Sequence, residues 1–267
     1  MKKLGKIYMA AVMMFLYVPI FVLIVFSFNE TKSRSVFSGF TLDWYAKLFR
    51  NEIIISSLIN TIIIAVIASI VSTVLGTLAA IGINSMRKLP RTVVMNITNM
   101  PIINPEIVTG VSLMLLFVFF AARMNLEFGF VTLLIAHITF DVPYVILNIM
   151  PKFKQLDPHL CEAAQDLGCS PFKAFRKVVL PEIMPGVISG FLMAFTYSLD
   201  DFVVSYFTSG STSQTLPITI YSMTRRKISP EINALSTLIF IAVFIILIVK
   251  NIIESKQEKK NSAYGRH

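Results

Sequence analysis

Four carboxylates stand in stretches that are otherwise apolar: Glu106, Asp141, Asp200 and Asp201. A carboxylate surrounded by hydrocarbon is costly unless it faces a cavity or a partner. No lysine or arginine lies deep in any of these apolar runs. The acids are therefore matched by a cationic ligand, or they are protonated and bonded within the bundle. Glu106 follows Pro101 and Pro105, in the middle of its apolar run, and such breaks free carbonyls that are tolerated where helices line a cavity. Asp141 has His137 and Thr139 as local partners. Asp200 and Asp201 are adjacent, and neighbours on a helix point about 100° apart. Both are not expected to face one narrow path; one lines it while the other fixes packing or meets a neighbouring subunit.

Other chemistries find less support. His137 and Asp141 are one helical turn apart, half of a metal site, but no second pair completes it. Cys161 and Cys169 lie eight apart with only His159 nearby, short of the ligand set a zinc site needs. They are read as two small buried side chains, unpaired if the segment is cytoplasmic. No GxxxxGK[ST] segment is present to hold ATP. A net charge of +9 in a soluble protein would suggest nucleic acid. Here no basic helix with interleaved aromatics supports that reading, and no nucleic-acid partner is expected.

A second kind of chemistry belongs to Leu156–Pro185, LDPHLCEAAQDLGCSPFKAFRKVVLPEIMP. Asp157-Pro158 is a cap followed by proline at the first helical position. His159 to Leu167 reads as helix and Gly168 as its stop. Ser170-Pro171 repeats the start, Phe172 to Val179 is a second short helix, and Pro181 and Pro185 close the segment. The stretch is thus a helix–turn–helix at a membrane surface.

The elements that position these residues follow from composition. The chain is 55% hydrophobic and only 15% charged, which places it in the membrane class. An all-α bundle of six transmembrane helices is expected, as one domain over residues 1–267. The spans fall at about 7–28, 55–83, 93–120, 130–150, 183–207 and 234–253, with a charged, disordered tail at 254–267. The first follows Lys2, Lys3 and Lys6, is longer than a signal core and lacks a small-residue cleavage site, so it reads as retained. Residues 29–52 include a short interfacial helix around Trp44, and 208–233 reads as a polar loop. Sixteen lysines and arginines fall at the termini, the 87–91 loop and the central loop, against eight in the three opposite loops. The positive-inside rule puts the termini and the central loop in the cytoplasm.

Glu162-Ala163-Ala164, then Gly168, Phe175, Val178, Leu180-Pro181 and Pro185 at fixed spacings, resembles the EAA loop of ABC importer permeases. That resemblance implies the type I importer permease fold. It also implies that Glu162, Ala163, Ala164 and Gly168 belong to a segment docking on a cytoplasmic ATPase. Thr196–Gly210, TYSLDDFVVSYFTSG, and Thr215–Ser236 closely resemble permeases of spermidine/putrescine importers, in particular the second permease subunit. The resemblance carries a translocation role onto Trp44, Glu106, Ser198, Asp200 and Asp201. It implies a homologous second permease, a dimer of ATP-binding subunits that holds ATP and Mg, an extracytoplasmic polyamine-binding protein, and a bacterial cytoplasmic membrane. No cofactor is expected on this chain. Tyr197, Tyr206, Tyr144 and Trp44 would offer faces that attract ammonium groups. Pro171 departs from the family, standing where an acidic residue can occur. Two other readings stay open. One is an ABC permease for a different solute, such as iron, sulfate or thiamine; an anion path should show intramembrane bases, and none is seen. An ion-coupled carrier should show inverted repeats, and none is evident.

Overall fold

The computed structural model describes residues 2–31, 36–124, 127–157, 159–226 and 230–264. Among them the only β-pairing is an isolated bridge between Asn29 and Phe40; the rest of the ordered backbone is helical. The chain divides into two compact units, Met1–Leu58 with Thr219–Ile245, and Ile59–Ile218 with Ile246–His267.

In the first unit, α1 (Lys2–Phe26) exposes apolar side chains along its length, Phe15 at 80%. Such a helix suits lipid or another apolar partner. Short α2 (Asp43–Arg50) buries Trp44 and Leu48. The Trp44 indole N–H donates to the Asn29 carbonyl at 2.7 Å, while Asn29 ties back to Val36 and Ser38 through its side-chain amide. The first turns of α3 (Glu52–Ser85) close this unit, with the Ser57 and Thr219 hydroxyls 2.7 Å apart.

The rest of α3 opens the second unit. It is followed by α4 (Lys88–Ile103), α5 (Glu106–Met124) and α6 (Phe130–Gln155). The expected span at 93–120 is thus two helices. Pro105 lacks an N–H and forces Asn104 out of the helix, to φ −75° and ψ 134°. Glu106 consequently begins α5 rather than sitting mid-span.

Next come α7 (Leu160–Asp166) and α8 (Pro171–Ala174), then a π-helical turn (Phe175–Val179) that runs without a break into α9 (Leu180–Asp200). Pro181 and Pro185 therefore do not close the loop; both lie inside a continuous helix from Pro171 to Asp200. A proline in a regular α-helix collides with the carbonyl four residues back. The wider π-turn falls just upstream of Pro181, where that collision would arise.

The helices α6 and α9 form the core. Val145, Ile149, Met150 and Phe153 pack with Ile183 and Ala194, and with Ala80 and Ile83 of α3. Close approach requires Gly190: a Cβ there would meet the Val145 backbone at 3.2 Å. Small residues at such contacts are how helices associate in lipid, where burial from water gives no drive.

The unit ends through α10 (Val203–Thr208) and the start of α11 (Leu216–Arg226); α12 (Pro230–Tyr264) returns to it after Ile245. The expected loop at 208–233 thus contains a helix. The expected tail from residue 254 is helical as far as Tyr264. No glycine or proline lies between Glu231 and Ala263 to stop it, and its Glu, Lys and Gln residues are good helix formers. Among the described residues, five helices are long and apolar enough to cross a membrane, and Pro230–Ile245 is a shorter apolar one.

Candidate functional site

Three of the four intramembrane acids converge. A cavity of about 220 Å³ in the second unit is lined by Glu106, Asp200 and Asp201 together with Phe140, Tyr144, Tyr197 and Phe202. Among the described residues, no lysine, arginine or histidine lines it. The proline break between α4 and α5 brings Glu106 to it. The rings of Tyr144 (α6) and Tyr197 (α9) meet at 4.4 Å between centroids, tilted by 37°. Tyr206 packs on Phe202 at 5.5 Å instead. Carboxylates beside aromatic faces are a setting for an organic cation: the acids supply charge, the rings a quadrupole.

Asp200 and Asp201 both line this cavity, against the expectation that one must turn away. That expectation holds only inside a helix. Asp200 is the last residue of α9, and Asp201 has already left it, at φ −65° and ψ 120°. Asp201 also serves the next helix. Its carboxylate accepts the Val204 N–H at 3.2 Å and the Ser205 N–H at 2.7 Å, two of the free donors at the start of α10.

Behind the cavity lies a buried polar chain. Ser198 Oγ donates to Asp141 Oδ2 at 2.8 Å. His137 Nδ1 is 3.0 Å from Ser198 Oγ, and its Nε2 is 3.0 Å from Ser205 Oγ and 3.6 Å from Asp201 Oδ2. Asp141 is thus partnered by Ser198, not by its sequence neighbours: Thr139 bonds back to the Ile135 carbonyl, and His137 reaches across to α9 and α10. A helix bonds its hydroxyls to its own carbonyls one turn back, and it turns i and i+4 side chains toward the same neighbouring helix. Ser198, expected on the path, is buried in this chain rather than lining the cavity. Trp44 belongs to the first unit, where its ring carries the Lys47 ammonium at 4.4 Å.

The second site is the loop between α6 and α9. Asp157 accepts the His159 N–H at 2.9 Å; Pro158 lies outside the described residues. At the end of α7 the Cys169 N–H reaches the Ala164 carbonyl and the Gly168 N–H the Gln165 carbonyl, with Gly168 at φ +84°. This is a Schellman stop, which needs a residue without a Cβ penalty. Ser170 then caps α8, accepting the Lys173 N–H. Cys161 packs against the α6–α9 core. Glu162, Ala163 and Leu167 face out, Leu167 at 87% exposure, and Phe172 adds another exposed ring at 72%. Both cysteines are free and half-buried, less enclosed than expected, because Cys161 lies on the short surface helix α7 and Cys169 in the turn that follows it.

Residues 72–260 match the family of binding-protein-dependent transport system inner membrane components. The chain belongs to that family. It is 35% identical over 255 residues to the spermidine/putrescine transport system permease protein PotC of Escherichia coli (strain K12), covering 96% of this chain and 95% of that one. It is 38% identical over 250 residues to the putrescine transport system permease protein PotI of the same strain, covering 92% and 89%. Among solved structures it resembles a chain of a bacterial ABC transporter involved in import of the acidic polysaccharide alginate. The TM-score is 0.70 at 14% identity, covering 93% of this chain and 94% of that one. The MetNI methionine ABC transporter gives 0.60 at 18% identity, covering 80% and 98%. These likenesses carry the fold.

In this inner membrane component, then, Glu106, Tyr197, Asp200 and Asp201 come together, while Ser198 stands behind them. Sequence reading missed Phe140, Phe202 and Ser205. Ser205 had a signal, four residues after Asp201, the reach of a carboxylate onto the first turn of a following helix.

Proposed function

We propose that this membrane subunit passes spermidine or putrescine across the cytoplasmic membrane as one half of a pore, beside a homologous permease. The observation that carries the cargo is the cavity of three carboxylates and four aromatic rings without a base. Polyamines are flexible chains with ammonium groups spaced along them, and separated acids hold such a chain loosely enough to release it. The relatives named as polyamine permeases support the same cargo. Glu106, Asp200, Asp201 and Tyr197 are the proposed path, and Ser198 supports it from behind.

ATP and its Mg are held by a dimer of cytoplasmic subunits, since this chain has no phosphate loop of its own. An extracytoplasmic binding protein delivers the polyamine, and both termini of this chain face the cytoplasm. Glu162, Ala163, Ala164 and Gly168 form the face that docks on the ATPase. The helix from Pro171 to Asp200 has 30 residues, about 45 Å at 1.5 Å per residue. It starts beside that docking face and ends at the cavity acids. A push on α7 therefore reaches Asp200 through one rigid rod.

The test is uptake of radiolabelled spermidine in cells lacking their own importer, supplied with this chain and its neighbouring transport genes. Asp200→Asn and Asp201→Asn are compared with wild type at matched membrane abundance. Uptake should be robust in wild type and reduced at least about tenfold in each variant, the loss expected when roughly 1.4 kcal/mol of cation binding is removed. Intact uptake in both variants would reduce the acids to packing residues.

A further inference from the structure

His137 is fully buried, as is Asp141, and neither lines the cavity. Yet together they join the cavity to the interior of the bundle. The chain runs Asp141, Ser198, His137, Ser205, with Asp201 alongside, and it ties α6 to α9 and α10. Each serine hydroxyl has one hydrogen to give, and a neutral imidazole donates from one nitrogen while it accepts at the other. The direction of one bond therefore sets the direction of all.

Two wirings fit the same heavy atoms. With Asp141 ionised, Ser198 donates to Asp141, His137 donates from Nδ1 to Ser198, and Ser205 donates to Nε2. The Nε2 lone pair then lies near Asp201. With a proton on Asp141, that proton points to Ser198, Ser198 donates to Nδ1, the histidine donates from Nε2 to Ser205, and the Ser205 hydroxyl gives its own hydrogen to Asp201. The change is balanced. A proton reaching Ser205 from the cavity side lets the Ser205 hydrogen pass to Nε2, the Nδ1 hydrogen to Ser198, and the Ser198 hydrogen to Asp141. His137 stays neutral and changes tautomer, and Asp141 gains one proton. Asp141 has an oxygen to spare, since its Oδ1 has no hydrogen-bond partner among the described residues.

We propose that His137 is a positioning residue for the cation cavity. In this proposal the buried chain links the proton on Asp141 to the hold of Asp201 on an ammonium group. The proposal rests on reading the cavity as the polyamine path. A Ser205 hydroxyl that donates to Asp201 offsets its negative charge and weakens cation binding, whereas a Ser205 hydroxyl turned to the Nε2 lone pair leaves the carboxylate freer to hold the cation. By reciprocity a cation arriving at Asp201 expels a proton from Asp141. The other groups facing this region are Tyr144 on α6, Glu106 on α5, and Tyr197 and Asp200 on α9; all line the cavity, and none is a base. They add a pH dependence of their own, which any test must subtract.

The test uses the full transporter, this chain with its partner subunits, in proteoliposomes. The KM and kcat for putrescine uptake are followed from pH 6 to pH 8.5 for wild type, Asp141→Asn, His137→Gln and Ser205→Ala. Ser205→Ala removes the hydroxyl that joins His137 to Asp201 and keeps the backbone N–H groups that Asp201 accepts, so it survives where a buried-charge change does not. Wild-type KM should rise toward low pH by about fivefold more than in any of the three variants, the lower range of typical coupling between sites. The difference should lie in KM, not kcat. Variants that transport with a KM profile superimposable on wild type overturn the relay and leave the cation path standing. Loss of the whole path reading looks different: wild type shows no saturable putrescine uptake, or Asp200→Asn and Asp201→Asn leave it intact, and the relay proposal then falls with it.

Discussion

Asp200 and Asp201 are neighbours with unequal duties. Asp200 ends its helix with an exposed side chain facing the cavity. Asp201 is almost enclosed, 7% exposed at its side chain, and holds two backbone N–H groups of α10. Removing the side chain at each position should therefore separate stability from transport. Asp201→Ala loses a helix-start acceptor worth about 0.5–2 kcal/mol, so the purified complex should unfold at a lower temperature. Asp200→Ala should unfold with wild-type behaviour, while uptake falls in both. Thermal unfolding in detergent, read beside uptake, checks this; equal unfolding temperatures for the two variants would mean that Asp201 does not hold α10. The acids themselves were legible as charges in an apolar run. The end of the helix between them was not, because no glycine or proline marks it.

Between the residue and the molecule stands the α7–α9 segment. Its signals were mostly local and mostly readable: Gly168 for the left-handed stop, Ser170-Pro171 for the restart. What composition hid was the passage through Pro181 and Pro185. Proline reads as a helix end, yet here a π-turn lets the helix continue. That continuity suits the lever role proposed above, and the end of α7, ahead of the long helix, carries Leu167 at 87% exposure. An exposed leucine beside Glu162 and Ala163 fits a partner surface better than open water. Leu167→Asp and Glu162→Lys should therefore leave this chain in the membrane at normal abundance but lower polyamine-stimulated ATP hydrolysis by about tenfold, as expected for the loss of a central interface residue. Co-purification of the ATPase subunit checks the cause. Full co-purification with full stimulation in both variants would exclude α7 as the docking face.

At the scale of the whole molecule, the distribution of charge and the distribution of cysteine bear on one question, which way the chain lies in the membrane. The apolar runs announced a helical membrane protein, and the excess of lysine and arginine assigned the loop after α6 to the cytoplasm. The division into two units was not announced, because one apolar helix, α3, runs through both, and hydropathy does not record which turns of a helix pack where. The buried chain through His137 was equally silent, since its residues come from two stretches, 137–141 and 198–205, that lie far apart in the sequence. Orientation is testable without altering the protein. Its only two cysteines, Cys161 and Cys169, both sit in the α7–α9 segment, free and half-buried at the surface. A membrane-impermeant maleimide should leave them unlabelled in intact cells and label them in inside-out vesicles. Labelling should slow when the ATPase subunits are bound, because docking on α7 covers the approach to Cys161. Modification in intact cells would turn the topology over and, with it, the assignment of this loop to an ATPase.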